Sequence, residues 1–182
     1  GGVALETPFG TLVAPNITPD LETGLGRWRY EDFKAAMTEG GGKGGYHLYP
    51  AMPYPSYTLM HDEDIRDLWS YLQTITPVEN AVEANQLPFP FSIRSVMRGW
   101  NWLNFDQQKF EPDPQQSDEI NRGAYLVESL GHCGTCHTPR NFMGGEGSNK
   151  FTGATVDGWY APNITPNTHV GIGGWSEDEL VE

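Results

Sequence analysis

Cys133, Cys136 and His137 have the most chemistry to offer in this chain, and they stand together in the segment Cys133-Gly134-Thr135-Cys136-His137. Two thiols at this spacing reach the two vinyl groups of one porphyrin, and an imidazole directly after them binds iron from the same side. The pattern points to covalent c-type haem, with Cys133 and Cys136 as attachment residues and His137 as an axial ligand. Thiol exchange and zinc share the Cys-x-x-Cys pattern but compete poorly. A structural zinc wants four ligands, and the nearest unused candidates, His132 and His169, bring no second paired motif. A thioredoxin-like dithiol would follow a strand, whereas a helical pattern leads into this pair. A disulfide closing so short a loop would stabilise little.

An electron-transfer haem takes a second axial ligand, and a methionine thioether in that place raises the potential while keeping substrates off the metal. Met52 sits in the turn-rich stretch from Gly44 to Pro55, where Pro50, Pro53 and Pro55 forbid regular helix and stiffen the loop around the sulfur. It is the best-placed candidate, against the plainer reading of a loop methionine packed on aromatics. Met143, six residues after His137, is disfavoured. His47 and His61 read as surface or hydrogen-bonded histidines, and Trp28 and Trp175 as core or haem-edge packing. No separate catalytic constellation stands out, so no catalytic residue is assigned.

The sequence repeats itself. Ala14-Pro15-Asn16-Ile17-Thr18-Pro19 recurs as Ala161-Pro162-Asn163-Ile164-Thr165-Pro166, 147 residues later. Without a gap, the same offset carries Gly24 onto Gly171, Gly26 onto Gly173, Trp28 onto Trp175 and Phe33 onto Leu180. These matches indicate two homologous units. The first unit's cysteine motif would precede residue 1, and the second unit's counterpart of Met52 would follow Glu182, so the chain is expected to begin inside one unit and end inside another. The two half-sites also raise a composite site in which Met52 and His137 share one iron.

Around these motifs the periodicity predicts three helices. Tyr30, Phe33 and Met37 recur at helical spacing, with Glu31 and Asp32 in the first turn and the Gly40-Gly41-Gly42 breaker after them. Asp62 to Gln73 places Ile65, Leu68, Trp69 and Leu72 on one face behind an acidic amino end. Asp118 to Leu130, with Ser117 as its cap, delivers the cysteine motif. Between about Thr76 and Gln116 prolines and aromatics mix without clear period, which reads as an ordered linker packed across both units.

Composition bounds the rest. The 182 residues carry 37% hydrophobic content, enough for a packed core, and 22 glycines with 14 prolines suggest long ordered loops. A formal charge of −13 argues against nucleic acid or anionic membrane as partner, because phosphates would be repelled. No stretch approaches the roughly 20 apolar residues that cross a bilayer, so no transmembrane segment is expected.

Taken together these segments resemble the multihaem cytochrome c subunits of bacterial membrane-bound alcohol, gluconate and sorbitol dehydrogenases. The resemblance rests on the two Ala-Pro-Asn-Ile-Thr-Pro segments, Gly26-Arg27-Trp28, the run from His47 to Tyr54, and Asn121 to Val127 leading into the haem motif. It implies a mostly α fold with two class I cytochrome c-like domains, both incomplete, and long Pro/Gly-rich loops. Residues 1–75 would be the later part of the first domain, 76–116 the linker, and 117–182 the early part of the second. It further implies Met52 as an axial ligand, at least one haem c here and two or three in the intact protein. The expected role is periplasmic electron transfer at the inner membrane, from a dehydrogenase catalytic subunit towards quinone or an oxidase. The rival is a haem enzyme of the dihaem peroxidase or thiosulfate dehydrogenase type, with one iron open to substrate.

Overall fold

The computed structural model describes residues 1–156 and 158–181, so the end of the second expected domain, at 182, lies outside the described residues. In chain order these form a hairpin β1 (Ala4–Thr7) and β2 (Gly10–Val13), then helices α1 (Tyr30–Glu39), α2 (Tyr54–Tyr57), α3 (Asp62–Leu72), α4 (Val96–Asn104) and α5 (Asp118–Tyr125). A π-helical turn (Leu126–Leu130) leads to α6 (Gly134–His137), a second hairpin β3 (Ala154–Val156) and β4 (Trp159–Ala161), and α7 (Glu177–Val181). The mostly helical expectation holds, with two antiparallel hairpins that periodicity alone did not reveal.

The apolar stripes read from the sequence form the main core. Phe33 and Met37 of α1 and Ile65 and Leu72 of α3 are buried with Leu25 and Met60, and Trp28, Tyr57, Leu68 and Trp69 pack around them. Burying each such side chain contributes about 1.5–3 kcal/mol. Gly40 ends α1 in the left-handed region at φ 65, where its N–H caps Ala35 O. At the start of α3, Asp62 accepts from Lys34, Tyr30 and Arg66, and these partners hold its exposed carboxyl well below the ordinary range.

Two parts of the chain differ from expectation. The segment read as a linker contains α4, whose Met97 and Trp100 are buried against Tyr54 in a second apolar cluster. Its helical signal is short, diluted by Gly99 and hemmed by prolines, so packing rather than periodicity decides it. The expected helix from 118 to 130 also divides. Ser117 Oγ caps α5 by accepting from Ile120 N, but beyond Tyr125 the bonding widens, and Gly131 N donates to Leu126 O at 2.7 Å. This π turn, a form that favours functional sites, buries Ser129 and redirects the chain into the cysteine motif.

The two repeats share one hydrogen-bonded turn. In the first, Asn16 Oδ1 accepts from Thr18 N and Oγ1, Leu25 N donates to Thr18 O, and Trp28 N donates to Leu25 O. In the second, Asn163 Oδ1 accepts from Thr165 N and Oγ1, Ile172 N donates to Thr165 O, and Trp175 N donates to Ile172 O. Each turn follows a hairpin, and the offset that matches the motifs also carries the first residue of α1, Tyr30, onto that of α7, Glu177.

The repeated glycines are demanded by close approach. A Cβ on Gly24 would lie 2.1 Å from Thr18 O, and one on Gly171 would lie 2.2 Å from Thr165 O. Both obstacles are backbone atoms that cannot swing aside. Gly24→Ala should therefore destabilise the fold by about 2–3 kcal/mol, read as a lower urea midpoint at unchanged slope. Gly99→Ala is the control: nothing lies within 4 Å of its Cβ, and in a helix interior the change should stabilise by about 0.5–1 kcal/mol.

Candidate haem-attachment site

The π turn hands the chain to α6 through His132, which takes φ 39 and sets its ring edge-on against Tyr57, 5.5 Å between centres. Cys133 caps α6, Cys136 lies within it, and His137 is its last residue. Cys133 is half-buried, Cys136 is exposed, and both thiols are free. The helix is a single turn, held by Thr135 N and His132 O at 2.8 Å, His137 N and Cys133 O at 3.0 Å, and Thr138 N and Gly134 O at 3.0 Å.

A wrap of chain, residues 151–156 and 158–164, fixes the end of this helix and the residue after it. Thr138 is buried completely, and its Oγ1 accepts from Phe151 N at 3.1 Å. Gly153 N donates to His137 O at 2.8 Å, and Ile164 N donates to Phe151 O at 3.0 Å. Gly153 sits at φ 93 with Ala161 O 2.9 Å from where a Cβ would be, so both conformation and space call for glycine.

This wrap brings Pro162, from the second Ala-Pro-Asn-Ile-Thr-Pro segment, to the histidine. His137 Nδ1 lies 2.7 Å from Pro162 O. A carbonyl oxygen only accepts, so Nδ1 carries the proton and donates it. In the neutral ring Nε2 is then bare, with a lone pair available to a metal. Metal-binding histidines are oriented in this way, by a carbonyl or carboxylate on the other ring nitrogen. The donor set therefore fits a covalently attached haem: two free thiols on one helical turn and an imidazole whose tautomer is fixed for iron. The sequence repeat flagged the Ala-Pro-Asn-Ile-Thr-Pro segment but not what it does, because a backbone carbonyl has no sequence signature. In the first repeat, the corresponding Pro15 O accepts no hydrogen bond among the described residues.

Met52 is half-buried and packs against the Leu25, Phe33 and Ile65 cluster, while Met143 packs with Met97 and Trp100 and its carbonyl accepts from Trp100 Nε1 at 2.8 Å. Met52 thus keeps company with the first repeat, and His137 with Pro162 of the second. Trp28 is half-buried in the main core, while Trp175 is exposed. His61 stacks on Tyr125 at 4.3 Å, and His47 Nδ1 is buried without a hydrogen-bond partner. Among the described residues no three His, Cys, Asp or Glu side chains cluster as a metal site.

Tyr125 joins the two halves. Its buried phenol donates to Asp64 Oδ2 and accepts from His61 N, so a residue of α5 satisfies the amino end of α3. Burial, with the Asp64 carboxylate beside it, pushes the phenol's pKa up.

No helix among the described residues is long and apolar enough to cross a membrane. No protein-family model matches the chain. Individual proteins do. Over 182 residues, 99% of the chain, it is 50% identical to a subunit of the nicotinate dehydrogenase of Pseudomonas putida, of which it covers 15%. It is 41% identical to the gluconate 2-dehydrogenase cytochrome c subunit of Pantoea cypripedii, over 99% of the chain and 43% of that protein. It is 40% identical to a diheme cytochrome c-type protein of Cereibacter sphaeroides, over all of the chain and 61% of that protein. The chain thus spans less than two thirds of each of these relatives.

Proposed function

We propose that this chain, whose homologues are cytochrome c subunits of dehydrogenases, carries electrons on c-type haem within such a complex and is not itself the catalyst. The observation that supports this best is the hydrogen bond from His137 Nδ1 to Pro162 O beside two free thiols. In this reading Cys133 and Cys136 form thioethers with the porphyrin and His137 supplies an axial ligand. The haem, when bound, supplies a one-electron iron couple whose porphyrin stays anchored through oxidation and reduction. The polypeptide holds the His137 ring by Pro162, and the loop of Met52 offers a thioether as axial ligand to the haem of the first unit.

The repeated turn supports two class I cytochrome c-like domains, 1–75 and 117–182, joined through 76–116. The resemblance implies two or three haems per intact protein; two such domains account for two of them, and one relative is named as diheme. Electrons would enter from a dehydrogenase catalytic subunit and leave towards quinone or an oxidase. Covalent haem attachment suits a periplasmic protein, held at the inner membrane through its complex.

The test is a reduced-minus-oxidised visible spectrum of the exported full-length protein with pyridine haemochrome quantitation. Two or three c-haems per chain are expected, reducible by the partner dehydrogenase with its substrate. Absence of covalent haem would overturn the reading, as would turnover of peroxide or a sulfur compound by the isolated protein.

A further inference from the structure

The loop that carries Met52 is gripped from outside by the segment that joins the two repeats. Arg94 crosses to it and makes three contacts. Its Nη1 donates to His47 O at 3.1 Å, and its guanidinium lies 4.3 Å from the Tyr49 ring centre and 5.2 Å from that of Tyr46. Tyr49 donates its phenol to Phe91 O at 2.8 Å. Tyr54, fully buried, donates to Asn101 Oδ1 at 2.6 Å and meets the Phe105 ring edge-on. Met52 therefore lies between two anchored aromatic residues, Tyr49 and Tyr54, and its backbone bonds to both, its N–H donating to Tyr49 O at 3.2 Å and its carbonyl accepting from Tyr54 N at 2.8 Å.

Arg94 is the charged member of this grip. Among the described residues it has no carboxylate within 4.0 Å, in a chain where acids outnumber bases 24 to 11. Its charge is used on two aromatic faces and one carbonyl of a single loop. A planar guanidinium stacks and donates at once, and a lysine ammonium does not.

We infer that Arg94 is a positioning residue for the Met52 thioether, holding the His47–Tyr49 end of the loop so that the sulfur stays against the main apolar cluster. The inference rests on the proposed role of Met52 as an axial ligand. A loosened loop leaves the sulfur free to depart and lets an added ligand take its place. Because the clamp combines a charge-assisted hydrogen bond with stacking, its loss should favour the displaced state about tenfold.

The experiment titrates the full-length ferric protein with imidazole and follows the weak long-wavelength absorption of methionine-ligated ferric haem. Arg94→Ala should bind imidazole at the first haem about tenfold more tightly. Arg94→Lys, which keeps the charge but loses the planar stack, should show about threefold tightening, and Arg98→Ala, on the same segment but exposed, none. Met52→Ala should lack that haem's share of the absorption before any imidazole is added. If Met52→Ala retains the absorption, the ligand reading fails. If it loses the absorption while Arg94→Ala and Arg94→Lys match the unaltered protein, the ligand stands and the Arg94 inference is overturned. Should Arg94→Ala not mature, Arg94→Lys carries the same decision.

Discussion

The double variant Cys133→Ser, Cys136→Ser is expected to leave the exported protein one c-haem short per chain, with no covalent haem at residues 133–137. Serine hydroxyls do not add to the vinyl groups, and the geometry of α6 offers no other thiol. The single variants should separate the roles, each retaining one thioether. Pyridine haemochrome quantitation and mass spectrometry of the peptide containing residues 133–137 measure both results. An undiminished haem count in the double variant would remove these cysteines from the haem site.

His137→Ala should act differently from the cysteine changes, because the thioethers can still form while the proximal ligand and its bond to Pro162 O are gone. The expected product is a covalently bound haem without normal axial ligation, open to cyanide or carbon monoxide. The Pro162 carbonyl is left unpartnered, and loss of one partner of a charge-neutral hydrogen bond costs about 1–3 kcal/mol where the group stays buried. Pro162 is exposed, so water takes the vacated place and the cost falls below that range.

How much of this was legible before the structure depends on what kind of atom does the work. Cys133, Cys136 and His137 were legible because side-chain chemistry at fixed spacing is written directly in the sequence. Helices α1 and α3 were legible because Phe33, Met37, Ile65 and Leu72 all face one core, so their period survives. The Ser117 cap was legible for the same local reason. What escaped is what depends on distant partners. Pro162 holds His137 through a backbone carbonyl, Tyr125 serves α3 from 61 residues away, and α4 owes its place to Tyr54 and Met143 rather than to its own pattern. The π turn at Leu126–Leu130 also escaped, because a stripe of apolar residues reads the same whether its bonds close over four residues or five.

Met52→Ala is expected to lower the midpoint potential of the first unit's haem by on the order of 0.1–0.3 V, a fraction of the roughly 0.8 V that axial ligands command. A thioether favours ferrous iron, and water or a stray histidine in its place favours ferric iron. His47 is the nearest imidazole in sequence, but its carbonyl is held by Arg94 and its ring nitrogen Nδ1 is buried, so it is poorly placed to substitute. The haem count should not change, since Met52 takes no part in attachment, and this separates the variant from changes at Cys133 and Cys136. Met143→Ala is the companion: with its half-buried side chain packed beside Met97 and Trp100, it should cost about 1–2 kcal/mol of stability and leave both potentials nearly unmoved. Spectroelectrochemical titration of the full-length protein distinguishes the two. A large potential shift from Met143→Ala with none from Met52→Ala would transfer the ligand role from one methionine to the other.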